Sequence, residues 1–357
     1  MRIAETMQKR DWPAIVSRAT GVALLLAGVL LAAGLCAAAP QNGSVTSIFD
    51  SRSTPADSIR HLSFFVLGVT GLIFLVVFSL LTYVIVKFRS RTADTGREPA
   101  QVYGSTQIEL AWTIIPVLIV VVLFLATARV IHAIQDTPKP AEAVEVTAIG
   151  HQFWWEFRYP GLGIVTANEL HVPVSDPSHP TPTFLKLLSA DTDHSFWIPQ
   201  LAGKTDLIPN RVNETWLDPH ETGLFLGQCA QYCGMQHAKM LLRVYVESAE
   251  DFKKWVRAQQ QTNGDTSEVT GRLVFERTAC LNCHAIGGTN GNGRFGPDLT
   301  HLMSRRTIAS GAAENNSQNL RLWIQNPDAI KTGSLMPAMK LSDAELDALV
   351  RYLETLR

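Results

Sequence analysis

Cysteine is scarce, with five in 357 residues. Four of the five form two tight pairs, Cys229/Cys233 and Cys280/Cys283, and the fifth, Cys36, lies in an apolar stretch. An odd count in close pairs excludes a disulfide framework and leaves metal binding or cofactor attachment. Net charge is nearly absent as well: 31 Lys and Arg stand against 32 Asp and Glu. No basic excess marks a nucleic-acid binder. Internal repeats and low-complexity tracts are also missing, so the chain is not a repeat architecture. The ten histidines are scattered, too few and too dispersed for a many-histidine metal cluster.

Charge is missing most conspicuously from the first 135 residues, which hold nearly all the excess of the 46% apolar content. The first apolar run, Ala19–Ala39, follows Arg2, Lys9, Arg10 and Arg18 and ends in Ala37-Ala38-Ala39-Pro40. A basic start, an apolar centre and small residues at the end predict a secretory signal peptide over 1–39. An uncleaved extra span is the alternative, and a lipoprotein site at Cys36 fits less well because Leu35 is bulky. The second run, His61–Val86, has no Asp, Glu, Lys or Arg, and the third, Ile108–Ile134, carries only Glu109 and Arg129. Each exceeds the roughly 20 residues that a membrane span needs. The connection between them holds Lys87, Arg89, Arg91 and Arg97 against Asp94 and Glu98. That basic bias predicts a cytoplasmic loop, with everything after about Asp136 on the extracytoplasmic side of a bacterial-type membrane. A transmembrane hairpin over 40–136 follows, with spans about 61–86 and 108–134.

Beyond the hairpin the pattern changes. Val144–Ile149, Thr183–Leu188 and Met240–Val246 read as short strands between Pro and Gly punctuation, which predicts an all-β sandwich or barrel over 137–262. A trailing helix is expected over Ala249–Gln261, and Gln261–Ser267 is polar and Gly-bearing, a linker. The remainder, 263–357, reads as helical. Ser342 and Glu345 form a capping-box start for a last helix striped by Leu346, Leu349, Val350 and Leu353.

Two short motifs carry the chemistry. The first is Cys229-Ala-Gln231-Tyr-Cys233-Gly-Met-Gln-His237-Ala-Lys-Met240. Soft sulfur plus imidazole selects copper or zinc over hard cations. A thioether suits zinc poorly, so Met240 favours copper. Two thiolates suit a pair of coppers with shared sulfurs. His194, in Asp191-Thr-Asp-His194-Ser-Phe-Trp-Ile-Pro199, is the candidate second imidazole. The second motif is Cys280-Leu-Asn-Cys283-His284, the pattern for covalent haem attachment. Its sixth iron ligand should be a downstream methionine, which raises the potential. Met336, in Gly333-Ser-Leu-Met336-Pro337, is the first candidate, Met339 is its rival, and Met303 reads as packing.

In combination and order these residues resemble subunit II of the haem–copper cytochrome c oxidases. The resemblance covers roughly Ser58–Trp255, including Glu109-Leu-Ala-Trp-Thr-Ile-Ile-Pro116, Gly150-His-Gln-Phe-Trp-Trp155 and Lys204-Thr-Asp-Leu-Ile-Pro-Asn-Arg211. It implies a cupredoxin-like domain with a binuclear CuA centre. There Cys229 and Cys233 bridge, His194 and His237 are terminal ligands, and Met240 and the backbone carbonyl of Gln231 complete the set. Position 231 is usually Glu in that family, whose carboxylate also reaches a magnesium ion, so Gln231 puts magnesium in question. The tryptophan that usually admits electrons falls at Phe153, followed by Trp154. The family pattern places Glu109 near a proton channel mouth in subunit I, and a plain acid at the membrane surface is the other reading.

The stretch Glu268–Arg357 resembles a class I cytochrome c domain, which implies an all-α fold and a Pro297 carbonyl that accepts from His284. Subunit II followed by cytochrome c resembles the caa-type oxidases. The expected partners are oxidase subunit I, subunit III, and an external donor, either a cytochrome c or a quinol-oxidising complex. Subunit I would reduce oxygen to water and translocate protons. Residues 137–262 hold ten Lys/Arg against fourteen Asp/Glu, an acidic surface that attracts a basic donor or is merely solvated. Rival functions are the electron-transfer subunit of a CuA-containing nitric oxide reductase, and a membrane-anchored carrier without a catalytic partner. A quinol oxidase subunit is expected to lack the copper ligands, which are all present.

Overall fold

The structure, a computed structural model, describes residues 47–89, 101, 104–176, 178, 180–261 and 268–357. The predicted signal peptide, Cys36, Arg91, Asp94, Arg97, Glu98, His179 and most of the predicted linker lie outside the described residues.

Two helices form the hairpin, α1 (Thr54–Lys87) and α2 (Thr106–Gln135). Both are long and apolar enough to cross a membrane. At 1.5 Å per residue, the 34-residue α1 measures about 51 Å, well beyond a hydrocarbon core of about 30 Å. The excess lies at its start, where Pro55 presets the first turn and Pro55 and Ala56 are buried. That turn is tied to the next domain: Ser53 Oγ accepts from Asp218 N–H at 2.9 Å, and Arg52 N–H donates to Gln200 O at 2.8 Å. The end of α2 is tied down too, because Trp216 Nε1 donates to Ile134 O at 2.8 Å. Both ends of the hairpin therefore meet the β-domain.

That domain is a sandwich of two five-stranded sheets. The first contains β1 (Val144–His151), β2 (Trp154–Tyr159), β3 (Ile164–Ala167), β5 (Thr183–Ser189) and β8 (Asn213–Leu217), in the order β3-β2-β1-β5-β8. The second contains β4 (Glu169–Pro173), β6 (His194–Trp197), β7 (Thr205–Leu207), β9 (Gly223–Cys229) and β10 (Leu241–Glu247), in the order β4-β10-β9-β6-β7. The pairs β1–β5 and β4–β10 run parallel and the others antiparallel. Strand β10 alternates as expected of a half-buried strand, with Leu242, Val244 and Val246 in the core. Strand β2 does not alternate. Trp155, Phe157 and Tyr159 enter the core, but Trp154 and Glu156 are buried as well. Both border a cleft whose far wall is the Ala285–Gly296 segment, so the C-terminal domain covers the outer face of β2.

Helix α3 (Ala249–Gln259) trails the sandwich, capped by Ser248, and ends two residues earlier than its expected boundary. The C-terminal domain contains α4 (Val269–Arg277), α5 (Cys280–Cys283), α6 (Ser317–Gln325), α7 (Pro327–Ile330) and α8 (Asp343–Glu354). The capping box of Ser342 and Glu345 is formed as the sequence predicts. The all-α expectation holds apart from a two-residue ladder, β11 (Thr307–Ile308) with β12 (Ala313–Glu314). Its turn places Ala309, Ser310 and Gly311 in left-handed conformations, at φ 53°, 59° and 81°.

Glu156 offers a test of the sandwich. Burial would raise its carboxyl, but hydrogen bonds to His151 and Arg158 outweigh this and hold it below the ordinary value of 4.5. A depressed folded value means stability that is present above 4.5 and lost as pH falls through the lower folded value. Glu156→Gln should cost about 1.5–3 kcal/mol at pH 7, the range for hydrogen bonds to a charged group. The gap between variant and parent should narrow as pH falls below 4.5. Thermal melts on both sides of that value check this, and an equal gap on each contradicts it.

Candidate metal and haem centres

Strand register assembles the first centre. Pairing of β6 with β9 sets Phe196 opposite Cys229, which brings His194 to the same end of the sheet. Cys229 N–H donates to Met240 O at 3.0 Å, and Ala230 N–H donates to Ser195 O at 2.9 Å. The loop from 229 to 240 is thereby closed at its base. Within it the two sulfurs of Cys229 and Cys233 lie 3.8 Å apart. His194 Nδ1 lies 3.9 Å from Cys229 Sγ, and His237 Nδ1 lies 3.8 Å from Cys233 Sγ. Met240 Sδ is 3.8 Å from Cys233 Sγ, and the Gln231 carbonyl oxygen is 3.1 Å from Cys229 Sγ. All six residues singled out from the sequence therefore converge. Tyr232 and Met235, in the same loop, point outward and are exposed.

The surroundings orient this set. His194 is fully buried, and its Nε2 donates to Asp191 at 2.8 Å, leaving Nδ1 for the sulfurs. A carboxylate behind a ligand imidazole fixes its tautomer and raises its basicity. Burial alone would lower His194, but Asp191 and Cys229 outweigh it and raise the imidazole. Gly150 on β1 is required here, since a Cβ at that position would lie 2.8 Å from the His194 ring. The hydrogen bond between the sulfurs lowers the Cys229 thiol against the effect of burial, and the same bond together with burial pushes Cys233 well up. Two thiolates, two imidazole Nδ1 atoms, a thioether and a carbonyl match copper's preferences, and the thioether argues against zinc.

The second centre lies in the C-terminal domain. Cys280 and Cys283 sit at the two ends of the single turn α5, with His284 directly after it, and the cysteines are free. Burial raises the Cys280 thiol. His284 Nδ1 donates to Pro297 O at 2.8 Å, as the resemblance implied. Burial lowers its imidazole, and Nε2 remains available. Gly296 lies flat against that ring, where a Cβ would come within 2.5 Å of Cε1. Cys280, Cys283, His284, Met336 and Met339 line a cavity of about 260 Å³. All three methionines pack against the helical core, but Met303 is not among the residues that line the cavity. Arg305 also lines the cavity. Its guanidinium is buried, Nη2 donates to Asp298 O at 2.6 Å, and Nε has no partner. A buried N–H without a partner, facing an apolar cavity, suits an anionic group such as a haem carboxylate.

Phe153 and Trp154 line the same cavity. Phe153 also touches the metal loop, because a Cβ at Gly234 would meet its ring at 3.0 Å. Gln152 donates from Nε2 to Cys233 O at 2.6 Å and from its N–H to Asp191 at 2.6 Å. Trp154 stacks on His151, with centroids 4.2 Å apart. Glu109 is far from both centres. It lies in the first turn of α2, 26 residues before Gln135, about 39 Å along the axis. Sequence reasoning missed Gln152, Arg305 and the orienting role of Asp191. Only Asp191 left a signal, three residues before His194.

Asp191→Ala should weaken copper binding about 10–100-fold, as expected when a carboxylate behind a ligand histidine is lost. Competition with a chromophoric chelator measures this. Unchanged affinity would show that His194 is not a ligand.

Three family profiles match the chain in order: Cytochrome C oxidase subunit II, transmembrane domain, over 41–130, its periplasmic domain over 178–248, and Cytochrome c over 269–357. Cytochrome c oxidase subunit 2 of Alkalihalophilus pseudofirmus is 35% identical over 297 residues, 81% of this chain and 84% of that one. The protein of the same name from Bacillus sp. (strain PS3) is 32% identical over 291 residues, 76% of this chain and 80% of that one. Quinol oxidase subunit 2 of Bacillus spizizenii is 32% identical over 221 residues, 61% of this chain and 67% of that one.

Proposed function

The chain belongs to the cytochrome c oxidase subunit II family, with a cytochrome c domain in the same chain, and on that premise we propose that it relays single electrons from a covalent c-type haem to a binuclear CuA centre. The family binds copper and haem and works within an oxidoreductase complex of the respiratory chain. When bound, the copper pair and the haem supply reversible one-electron redox chemistry. The chain's own residues hold and order the two carriers. Cys229, Cys233, His194 and His237, the two imidazoles through Nδ1, would hold the copper pair, with Met240 and the Gln231 carbonyl completing the set. Cys280 and Cys283 would hold the haem, and His284 through Nε2 and Met336 would be its iron ligands. The single observation that carries this reading is the segment 152–154, which borders the cavity of one centre and touches the loop of the other. Phe153 and Trp154 are accordingly the point where the copper domain accepts electrons.

The partner that reduces oxygen and moves protons is subunit I, with subunit III beside it. An external cytochrome c or a quinol-oxidising complex supplies electrons. Both redox domains lie on the extracytoplasmic side, and Glu109 lies at the cytoplasmic end of the hairpin near the proton intake of subunit I. Gln231 offers an amide rather than a carboxylate, so a magnesium ion at that interface would lack a charged ligand from this position. The complete sulfur and imidazole set favours this function over that of the quinol oxidase relative.

Metal analysis and EPR on the purified chain test the assignment. We expect two coppers sharing one unpaired electron and one c-type haem. Cys229→Ser should abolish the copper signal. Met336→Ala should change the haem ligation and lower its potential, with Met339→Ala leaving both unchanged. A single zinc in place of copper contradicts the CuA assignment. The reverse behaviour of the two methionine variants would move the ligand to Met339.

A further inference from the structure

The cytochrome domain meets the copper domain through groups that belong to a fold interior. Glu169 on β4 is only 1% exposed. Its carboxylate accepts from Arg306 N–H at 3.1 Å, from Thr307 N–H at 3.0 Å and from the Thr307 hydroxyl at 2.8 Å. These donors all come from the other domain, 137 and 138 positions away in sequence. Lys331, 3% exposed, donates from Nζ to Phe153 O at 2.7 Å and to Ala309 O at 3.3 Å. Its amine thus joins a carbonyl of each domain. Ser310 Oγ donates to Leu241 O at 2.8 Å, and Lys239 Nζ donates to Ile330 O at 3.2 Å.

A domain that swings on a tether docks through a wet face with charges at its rim. Here the Glu169 carboxyl and the Lys331 amine are both buried, which is unfavourable unless each is hydrogen-bonded, and burial lowers the Lys331 amine to about 7. Glu169 acquires its bonding, and Lys331 its bond to Phe153 O, only when the domains are joined. Ala309 and Ser310, neither of them glycine, hold left-handed conformations at φ 53° and 59°. Such strain persists only where the surroundings over-determine the backbone, and Lys331 and Leu241 supply those surroundings.

We propose that Glu169 and Lys331 are positioning residues that lock the cytochrome domain permanently on the copper domain, with Lys331 fixing the Phe153 carbonyl between the two centres. The lock itself is independent of cofactors, whereas its role in spacing haem and copper rests on the relay proposed above. The fused cytochrome is then a fixed donor, and an external donor approaches the haem from its outer side.

Two measurements on the full-length chain test this. The first is amide hydrogen exchange over 305–311, which needs neither metal nor haem spectroscopy. Slow exchange is expected in the parent, rising at least about tenfold in Glu169→Ala and in Lys331→Met, with β10 and α8 unchanged. Exchange in the parent as fast as in an exposed loop overturns the lock, as does unchanged exchange in both variants. The parent measurement decides the matter even if a variant fails to fold. The second is the magnetic dipolar coupling between oxidised haem and copper. The parent should give one narrow distance distribution and each variant a broad one. A broad distribution in the parent also overturns the lock. Slow exchange together with missing copper or haem would instead leave the lock standing and remove the relay.

Discussion

Two sulfur atoms 3.8 Å apart in a buried site repel each other once both are ionised, and the surrounding structure meets that constraint. Metal binding is what neutralises two thiolates at such a spacing. Until one arrives, the loop is kept in shape by its ends. The Cys229–Met240 backbone bond closes the base, and the β6–β9 register brings His194 to the sulfurs. Each imidazole then turns Nδ1 toward a different sulfur. The sandwich behind the loop is the reason the arrangement is rigid. Phe196, Met240 and Leu242 pack in the same core as both cysteines, so the ligands cannot shift without opening that core.

The same rigidity extends to the second centre through Gln152, Phe153 and Trp154. Gln152 and Phe153 form the turn between β1 and β2, and Trp154 opens β2 opposite His151. Gln152 grips the copper loop at the Cys233 carbonyl, and Phe153 fills the space against Gly234. On the other side the turn forms part of the cavity wall around His284. Electron transfer between fixed sites needs little reorganisation, and a short connection through packed groups serves that need better than a tether alone. Fusion of the two domains raises effective concentration. The buried Glu169 and Lys331 contacts go further and set the geometry.

Much of this was legible in the sequence because the ligands lie close together along it. Cys229 through Met240 occupies one loop, and Cys280 to His284 one turn, so spacing exposed most of the donors, while His194 lies 35 positions before Cys229 and the Gln231 carbonyl came only with the family resemblance. The hairpin was legible for the same local reason, as uninterrupted apolar runs. What escaped were contacts between residues far apart. Gln152 meets Cys233 across 81 positions, and Lys331 meets Phe153 across 178. Nothing local distinguishes Lys331 or Glu169 from an ordinary surface charge. Strand β2 lacks the alternation of a half-buried strand because its outer cover comes from another domain. Met336 and Met339 line one cavity, and neither spacing nor packing separates them.

The central claim is that this chain passes electrons internally from haem to copper. Rapid photoreduction of the haem in the purified oxidase tests it most directly, with haem and copper absorbance followed together. Haem reoxidation and copper reduction should share one first-order rate that does not change with protein concentration. Haem reoxidation that scales with protein concentration, or that proceeds without copper reduction, would contradict the account.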